Sequence, residues 1–163
     1  MTNSSLLLAL AFGIGVVAGL RALTAPAVTS WVMHLRGYNM QGSLIGSHLA
    51  FMGSIIAVGI FTLAAIGELV NDKLPKTGSR TAPPSLVIRA LTGGLSGATL
   101  CAAGGGSVAI GAVLGAVGSL VGSFGGHAAR VGLVKATGAP DIVIALVEDA
   151  IAIGGGFLIA TRL

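Results

Sequence analysis

Apolar residues run along this chain in long blocks, and polar residues collect in a few short gaps between them. Ser5–Leu20 is uninterrupted apolar and small, and Arg21 closes it. Ala22–Leu35 follows, an apolar stretch carrying Pro26 and Trp31. As a helix it spans only about 21 Å, short of a hydrocarbon core of roughly 30 Å. It therefore continues the first helix past a kink at Pro26, lies in the interface, or re-enters the membrane as a half-helix. Arg36–Ser43 is polar and reads as a loop. Leu44–Val70 is long enough to cross with tilt. Asn71–Ser85 holds Asp72, Lys73, Lys76, Arg80 and three of the five prolines, so it is the clearest loop. Leu86–Ala103 is the next apolar segment, interrupted early by Arg89. A tight turn at Gly104–Gly106 leads into the glycine-paved Ser107–Ala129. Arg130–Pro140 is a second basic loop, and Ile142–Thr161 is the last helix, with Glu148 and Asp149 inside it.

This pattern predicts an all-α integral membrane protein. A Gly-rich bundle of about five transmembrane helices is expected, with one short broken or re-entrant segment, as a single domain over residues 1–163.

Composition supports the membrane reading. Charged residues make up 9% of the chain and hydrophobic ones 54%, where a soluble domain carries about a quarter charged. Nine basic and five acidic side chains are too few to coat a soluble globule of 163 residues, so lipid is the expected partner for much of the surface. The 27 glycines sit among Ala, Val, Leu and Ile, which is the composition of closely packed membrane helices. Residues 1–4 lack a basic leader, so Ser5–Leu20 reads as the first span and not as a cleavable signal. Lys73, Lys76, Arg80, Arg130 and Lys135 share one side in this topology, against Arg36 and Arg162 on the other. The positive-inside rule then puts the N-terminus in the cytoplasm and the C-terminus outside, an assignment that changes if Ala22–Leu35 crosses. No basic and aromatic surface for nucleic acid is present in the sequence.

Gly111, Gly115, Gly118, Gly122 and Gly126 form one stripe on a helix, and Gly15/Gly19 and Gly93/Gly97 repeat the small-xxx-small spacing. The stripe serves helix packing within the chain, a homo-oligomer interface, or a ligand approaching bare backbone. Arg21-Ala-Leu-Thr24 recurs as Arg89-Ala-Leu-Thr92, each followed later by an acidic helix residue, which raises an internal duplication.

Ionisable groups in hydrocarbon cost at least about 2.5–3.5 kcal/mol each, so those inside the apolar blocks mark the candidate site. By depth, Glu68, Arg89 and Glu148 or Asp149 meet in one layer, with Arg21 and Asp72 close by. The acids outnumber Arg89, and the excess needs protons, a bound cation, or Arg21, Arg130 or Lys73 from elsewhere; the first two describe a proton- or cation-coupled site, the last a salt-bridge layer that pins helices together. The histidines at 34, 48 and 127 have no metal-ligand spacing, and Cys101 stands alone in an apolar run. No nucleophile elbow, phosphate loop or catalytic triad is present, so neither enzyme activity nor a cofactor is expected.

Several charged motifs occur in order. They are Gly19-Leu20-Arg21-Ala22 with Pro26, Gly67-Glu68-Leu69-Val70-Asn71-Asp72-Lys73-Leu74-Pro75, Ile88-Arg89 before Gly93-Gly94, Gly126-His127-Ala128-Ala129-Arg130, and Leu146-Val147-Glu148-Asp149. This succession resembles the bacterial small-membrane-protein family called domain of unknown function 4126. The resemblance runs from about residue 13 to 160. It implies a multi-pass inner-membrane protein, and it adds Lys73, His127 and Arg130 to the candidate positions. The expected function is a small transporter or channel for an ion or small polar solute. The alternative is a non-transporting scaffold or accessory subunit that packs partner helices through its glycines.

Overall fold

The computed structural model describes residues 4–37, 44, 47–72 and 81–163. Among them the protein is all-helical and without strands: α1 (Ser4–Leu20), α2 (Thr24–Leu35), α3 (Ile55–Asn71), α4 (Pro83–Ala103), α5 (Val108–Thr137) and α6 (Asp141–Ala160), with a 3₁₀ turn at Ala50–Gly53. Three helices, α4, α5 and α6, are long and apolar enough to cross a membrane, and α1 and α3 are shorter apolar helices. Large apolar side chains stand exposed around the outside, among them Ile56, Ile60 and Leu63 of α3, Leu91 of α4, Val113 and Phe124 of α5, and Ile151 and Leu158 of α6. Such a continuous apolar belt suits lipid and not water.

The short segment resolves into a helical hairpin. α1 ends at Leu20, the chain leaves helical geometry over residues 21–23, and α2 begins at Thr24. Pro26 is not a kink; it lies in the first turn of α2, where its missing N–H leaves no carbonyl unpaired. The direction reverses at this apex. A Cβ on Gly156 of α6 would touch both Val17 and Val28, one on each arm, at 3.4–3.5 Å. Farther from the apex, Gly13 of α1 lies against Ile159, and Arg36 at the end of α2 donates to the carbonyl of Thr161 at 2.6 Å. α2 therefore runs back beside α1, and the following helices continue in alternation.

Other boundaries shift for local reasons. The expected 44–70 span is divided at Ser54, whose hydroxyl caps α3 by accepting from the Ala57 N–H at 3.1 Å. α4 starts at Pro83, since proline is favoured in a first turn, and so absorbs the end of the expected Pro-rich loop. α5 runs on to Thr137 and stops where Gly138 takes a left-handed φ of 67°, so Arg130 and Lys135 are helical residues and not loop residues.

α1, α4 and α5 form the tightest part of the bundle, because glycine lets their backbones approach. A Cβ on Gly93 would sit 2.6 Å from the Gly115 carbonyl oxygen, and one on Gly111 would sit 2.6 Å from that of Gly97. Gly118 meets the carbonyl of Phe12 and Gly122 that of Val16 in the same way. The stripe is thus used inside the chain as far as Gly122. α2 and α6 pack around this trio over a core of Leu10, Ile14, Val17, Val28, Met33 and Leu100, and α3 packs on the outside against α2. The two Arg-Ala-Leu-Thr segments have different backbones: the first forms the hairpin apex and the second is interior to α4.

Candidate functional site

Every acidic residue of the chain gathers at the apex end of the bundle. The five are Glu68 on α3, Asp72 directly after it, and Asp141, Glu148 and Asp149 on α6. Arg21 from the apex, Arg89 from α4 and Arg130 from α5 meet them. Glu68, Arg89, Glu148 and Asp149, expected in one layer, lie at this end, and Arg21, Asp72 and Arg130 are ion-paired with them or with one another.

Arg21 is its centre and is wholly buried. Its Nε donates to Asp149 Oδ1 at 2.6 Å, and its Nη1 donates to Asp72 Oδ2. Nη2 also lies 2.6 Å from Asp149 Oδ1, but its N–H bonds do not line up on that oxygen and it makes no hydrogen bond. One guanidinium thus ties the C-terminal end of α3 and the middle of α6 to the hairpin. A fully buried arginine is tolerated at such a depth only with carboxylates on it, since removing either partner type strands a charge.

Glu68 and Arg89 treat the two open helix ends at the apex. The last carbonyls of α1 have no onward helical partners. Arg89 Nη1 donates to the Gly19 carbonyl at 2.6 Å, and the Ser123 hydroxyl donates to it at 3.3 Å. The first N–H groups of the α2 end are equally open, and Glu68 accepts from Ala22 N–H and Leu23 N–H at 2.8 Å each, one carboxylate oxygen per donor. Negative charge at a helix N-terminus and positive charge at a C-terminus both oppose the helix dipole favourably. Arg89 is held in turn by Nε donating to the Ser85 hydroxyl at 3.1 Å.

Arg130 sits at the rim. It makes a two-pronged contact with Asp141, Nε to Oδ1 at 2.8 Å and Nη2 to Oδ2 at 2.6 Å, while Nη1 lies 3.5 Å from Asp72 Oδ2 and 3.6 Å from Glu148 Oε2. Asp141 was missing from the sequence-based set. Its signal was available, an acid directly after Pro140 at the start of a helix, but only with α5 extended to Thr137 does Arg130 face it. His127 lies on the exposed face of α5, outside the layer, and Lys73 lies outside the described residues. Among the described residues no group of three or more His, Cys, Asp or Glu side chains is arranged to hold a metal ion.

A groove of about 610 Å³ opens onto this layer from the α3–α4 side. Ala22 and Leu23 of the apex, Glu68 and Asn71 of α3, and Ser85 and Arg89 of α4 line it. Its size falls within the ordinary range for small-molecule sites, roughly 300–1,000 Å³. A smaller apolar groove of about 140 Å³ between α5 and α6 ends at Arg130 and Glu148.

Comparison with family models, with curated proteins and with solved structures finds no match for the chain.

Proposed function

We propose that this chain is a small multi-pass transporter or channel of the bacterial inner membrane, moving an ion or small polar solute through the charged layer at its hairpin apex. The single observation that carries this reading is the groove of about 610 Å³ that reaches Glu68 and Arg89 where the backbone leaves helical geometry. Irregular backbone at membrane depth is tolerated where it lines a cavity, and half-helix ends are a recurrent way to contact a charged solute. In this reading Glu68 and Arg89 meet the solute, while Glu148 and Asp149, balanced by Arg21 and Arg130, set the charge of the layer. The resemblance to the domain of unknown function 4126 family is in keeping with the inner-membrane location.

The hairpin also supports an orientation. The 104–106 turn lies against Leu7 at the far end from the layer, so the start of α1 and the end of α6 point the same way. The basic residues Arg130 and Lys135 belong to the layer end, and Arg36 and Arg162 to the other. Positive-inside placement then puts the layer on the cytoplasmic side and both termini outside, which moves the N-terminus from its expected side.

The alternative, a scaffold packing partner helices through a Gly stripe, needs another surface, because Gly115 and Gly118 already meet backbone within the chain. Flux across a panel of ions and small solutes in proteoliposomes tests the proposal. Glu148→Gln, which leaves the Asp149–Arg21 pair in place, is expected to lose flux while remaining folded; absence of flux for wild type across the panel argues for the scaffold.

A further inference from the structure

We infer that the lipid-facing groove between α3 and α6 is a site for one acyl chain of a membrane glycerophospholipid, with the Thr24 hydroxyl donating to the ester carbonyl at the head of that chain. This goes beyond the transport reading and does not depend on it.

The groove follows from how the outer helices pack. α3 and α6 each lie against α2 and hardly touch one another, so a strip of α2 is left between them. The space is about 160 Å³, floored by Thr24, Ala27 and Trp31 of α2 and walled by the other two helices. Ile66 of α3 and Phe157 of α6 beside it are exposed in the apolar belt, so lipid is the medium that fills it. Leu23 meets Glu68 near one end, and Trp31 Nε1 donates to Thr62 Oγ1 at 3.0 Å toward the other. The groove therefore runs along the helices, which is the direction in which acyl chains lie.

One polar group in this apolar space has no use inside the chain. Thr24 is 3% exposed, and its Oγ1 has no hydrogen-bond partner among the described residues. Thr92, Thr99, Thr137 and Thr161 each donate to the carbonyl four residues back, at 2.6–3.0 Å. That outlet is closed to Thr24, because it opens α2 and the residue four back lies across the break over residues 21–23. Thr29, the other hydroxyl without a partner among the described residues, is fully buried and does not line the groove. A hydroxyl left unpaired in an apolar medium is costly, so Thr24 calls for an acceptor from outside the protein. Threonine has two helical χ1 rotamers, which lets the hydroxyl and the methyl exchange places at the groove surface.

Depth selects the acceptor. Thr24 is the first residue of α2, and Leu69, which also lines the groove, is two residues or about 3 Å from the end of α3. Both stand where the helices leave the hydrocarbon and the interfacial region begins. Lipid ester carbonyls occupy that level. A chain that starts at Thr24 passes Ala27 and reaches Trp31 after about 10 Å.

Trp31 is the only tryptophan in the chain and lines the groove, so it reports occupancy directly. Purified full-length protein in detergent is titrated with phosphatidylcholine brominated in mid-chain, as the ester-linked form and as its ether-linked analogue, which lacks the carbonyl. Quenching of Trp31 in wild type is expected to saturate as a single site. The ester form is expected to reach half-saturation at about a third to a tenth of the concentration that the ether form needs, the weight of one hydrogen bond. Thr24→Val is expected to fold, since the hydroxyl it removes has no partner in the chain, and to bind both forms as weakly as wild type binds the ether. Equal half-saturation of the two forms on wild type overturns the inference, because water then satisfies Thr24. Quenching that rises with lipid without saturating overturns it as well, leaving only ordinary contact with surrounding lipid, and so does an ester preference that survives in folded Thr24→Val. If Thr24→Val does not fold, the ester–ether comparison on wild type decides alone, with Thr24→Ser expected to keep the preference.

Discussion

Glu68 and Arg89 lie 3.8 Å apart and cap opposite ends of one chain reversal, the carboxylate on the N–H groups that open α2 and the guanidinium on the carbonyls that close α1. Each charge answers a helix end, and the pair answers itself. The apex is thereby stabilised by side chains from α3 and α4, neither of which belongs to the hairpin. Anything that moves α3 against α4 moves the caps off the apex, which ties the shape of the groove to the integrity of the turn.

Arg21 is the residue whose loss is expected to damage the fold most. Arg21→Met leaves Asp72 and Asp149 without their shared buried cation, and a broken buried pair costs about 3–5 kcal/mol. Thermal unfolding in detergent checks this. The Arg21→Met/Asp149→Leu double variant is expected to recover part of the loss, because it removes the stranded charge as well as its partner.

The two aspartates of α6 are expected to differ sharply. Asp141 is largely exposed, its side chain at 62%, whereas that of Asp149 is at 10%. Asp141→Asn should cost under about 1 kcal/mol in spite of its two short contacts to Arg130, since exposed ion pairs contribute little. Asp149→Asn should cost several times more, read from the same melting curves.

Glycines that look alike in sequence are expected to separate into two groups. Gly115→Val drives a side chain into the backbone of α4 and should destabilise by at least about 2 kcal/mol or prevent folding. Gly125→Val, on the same helix with nothing within 4 Å of its Cβ, should stay within about 1 kcal/mol of wild type. Yield and melting temperature of the two variants give the comparison.

Much of this was legible beforehand, and the reasons are physical. The apolar blocks are set by the thickness of a bilayer, so α4 and α6 emerged close to their observed bounds. The charged layer was legible because ionisable groups buried in hydrocarbon must meet, and depth along each helix narrowed which ones. The hairpin was not. A 12-residue α2 is too short to register as a span, and Pro26 drew the expected break onto itself. What breaks the helix is Arg21-Ala22-Leu23, a sequence with no glycine or proline, held open by Glu68 and Arg89 from elsewhere in the chain. Such a break is a tertiary effect, invisible to local propensity. The loop assignment of Arg130 failed differently, because a basic rim residue looks the same at a helix end as in a loop.

The reversal carries a topological prediction. In a Cys101→Ala background, Ser5→Cys and Thr161→Cys should be labelled by a membrane-impermeant maleimide from the same side of intact cells or spheroplasts, and Ala82→Cys only from the other. Labelling of positions 5 and 161 from opposite sides would require an odd number of crossings and would remove the hairpin.

The most direct measurement of the central claim is flux through protein whose groove has been filled. Gly67 lines the groove beside Glu68, and a Cβ placed there meets nothing within 4 Å, so Gly67→Trp adds bulk to the groove without forcing the bundle apart. With the solute that wild type moves in proteoliposomes, Gly67→Trp is expected to keep the wild-type fold and melting behaviour to within a few degrees and to lose at least about nine-tenths of the flux, an increase in barrier of about 1.4 kcal/mol. Undiminished flux through folded Gly67→Trp would contradict the account, because solute would then be crossing by a route that does not pass the apex.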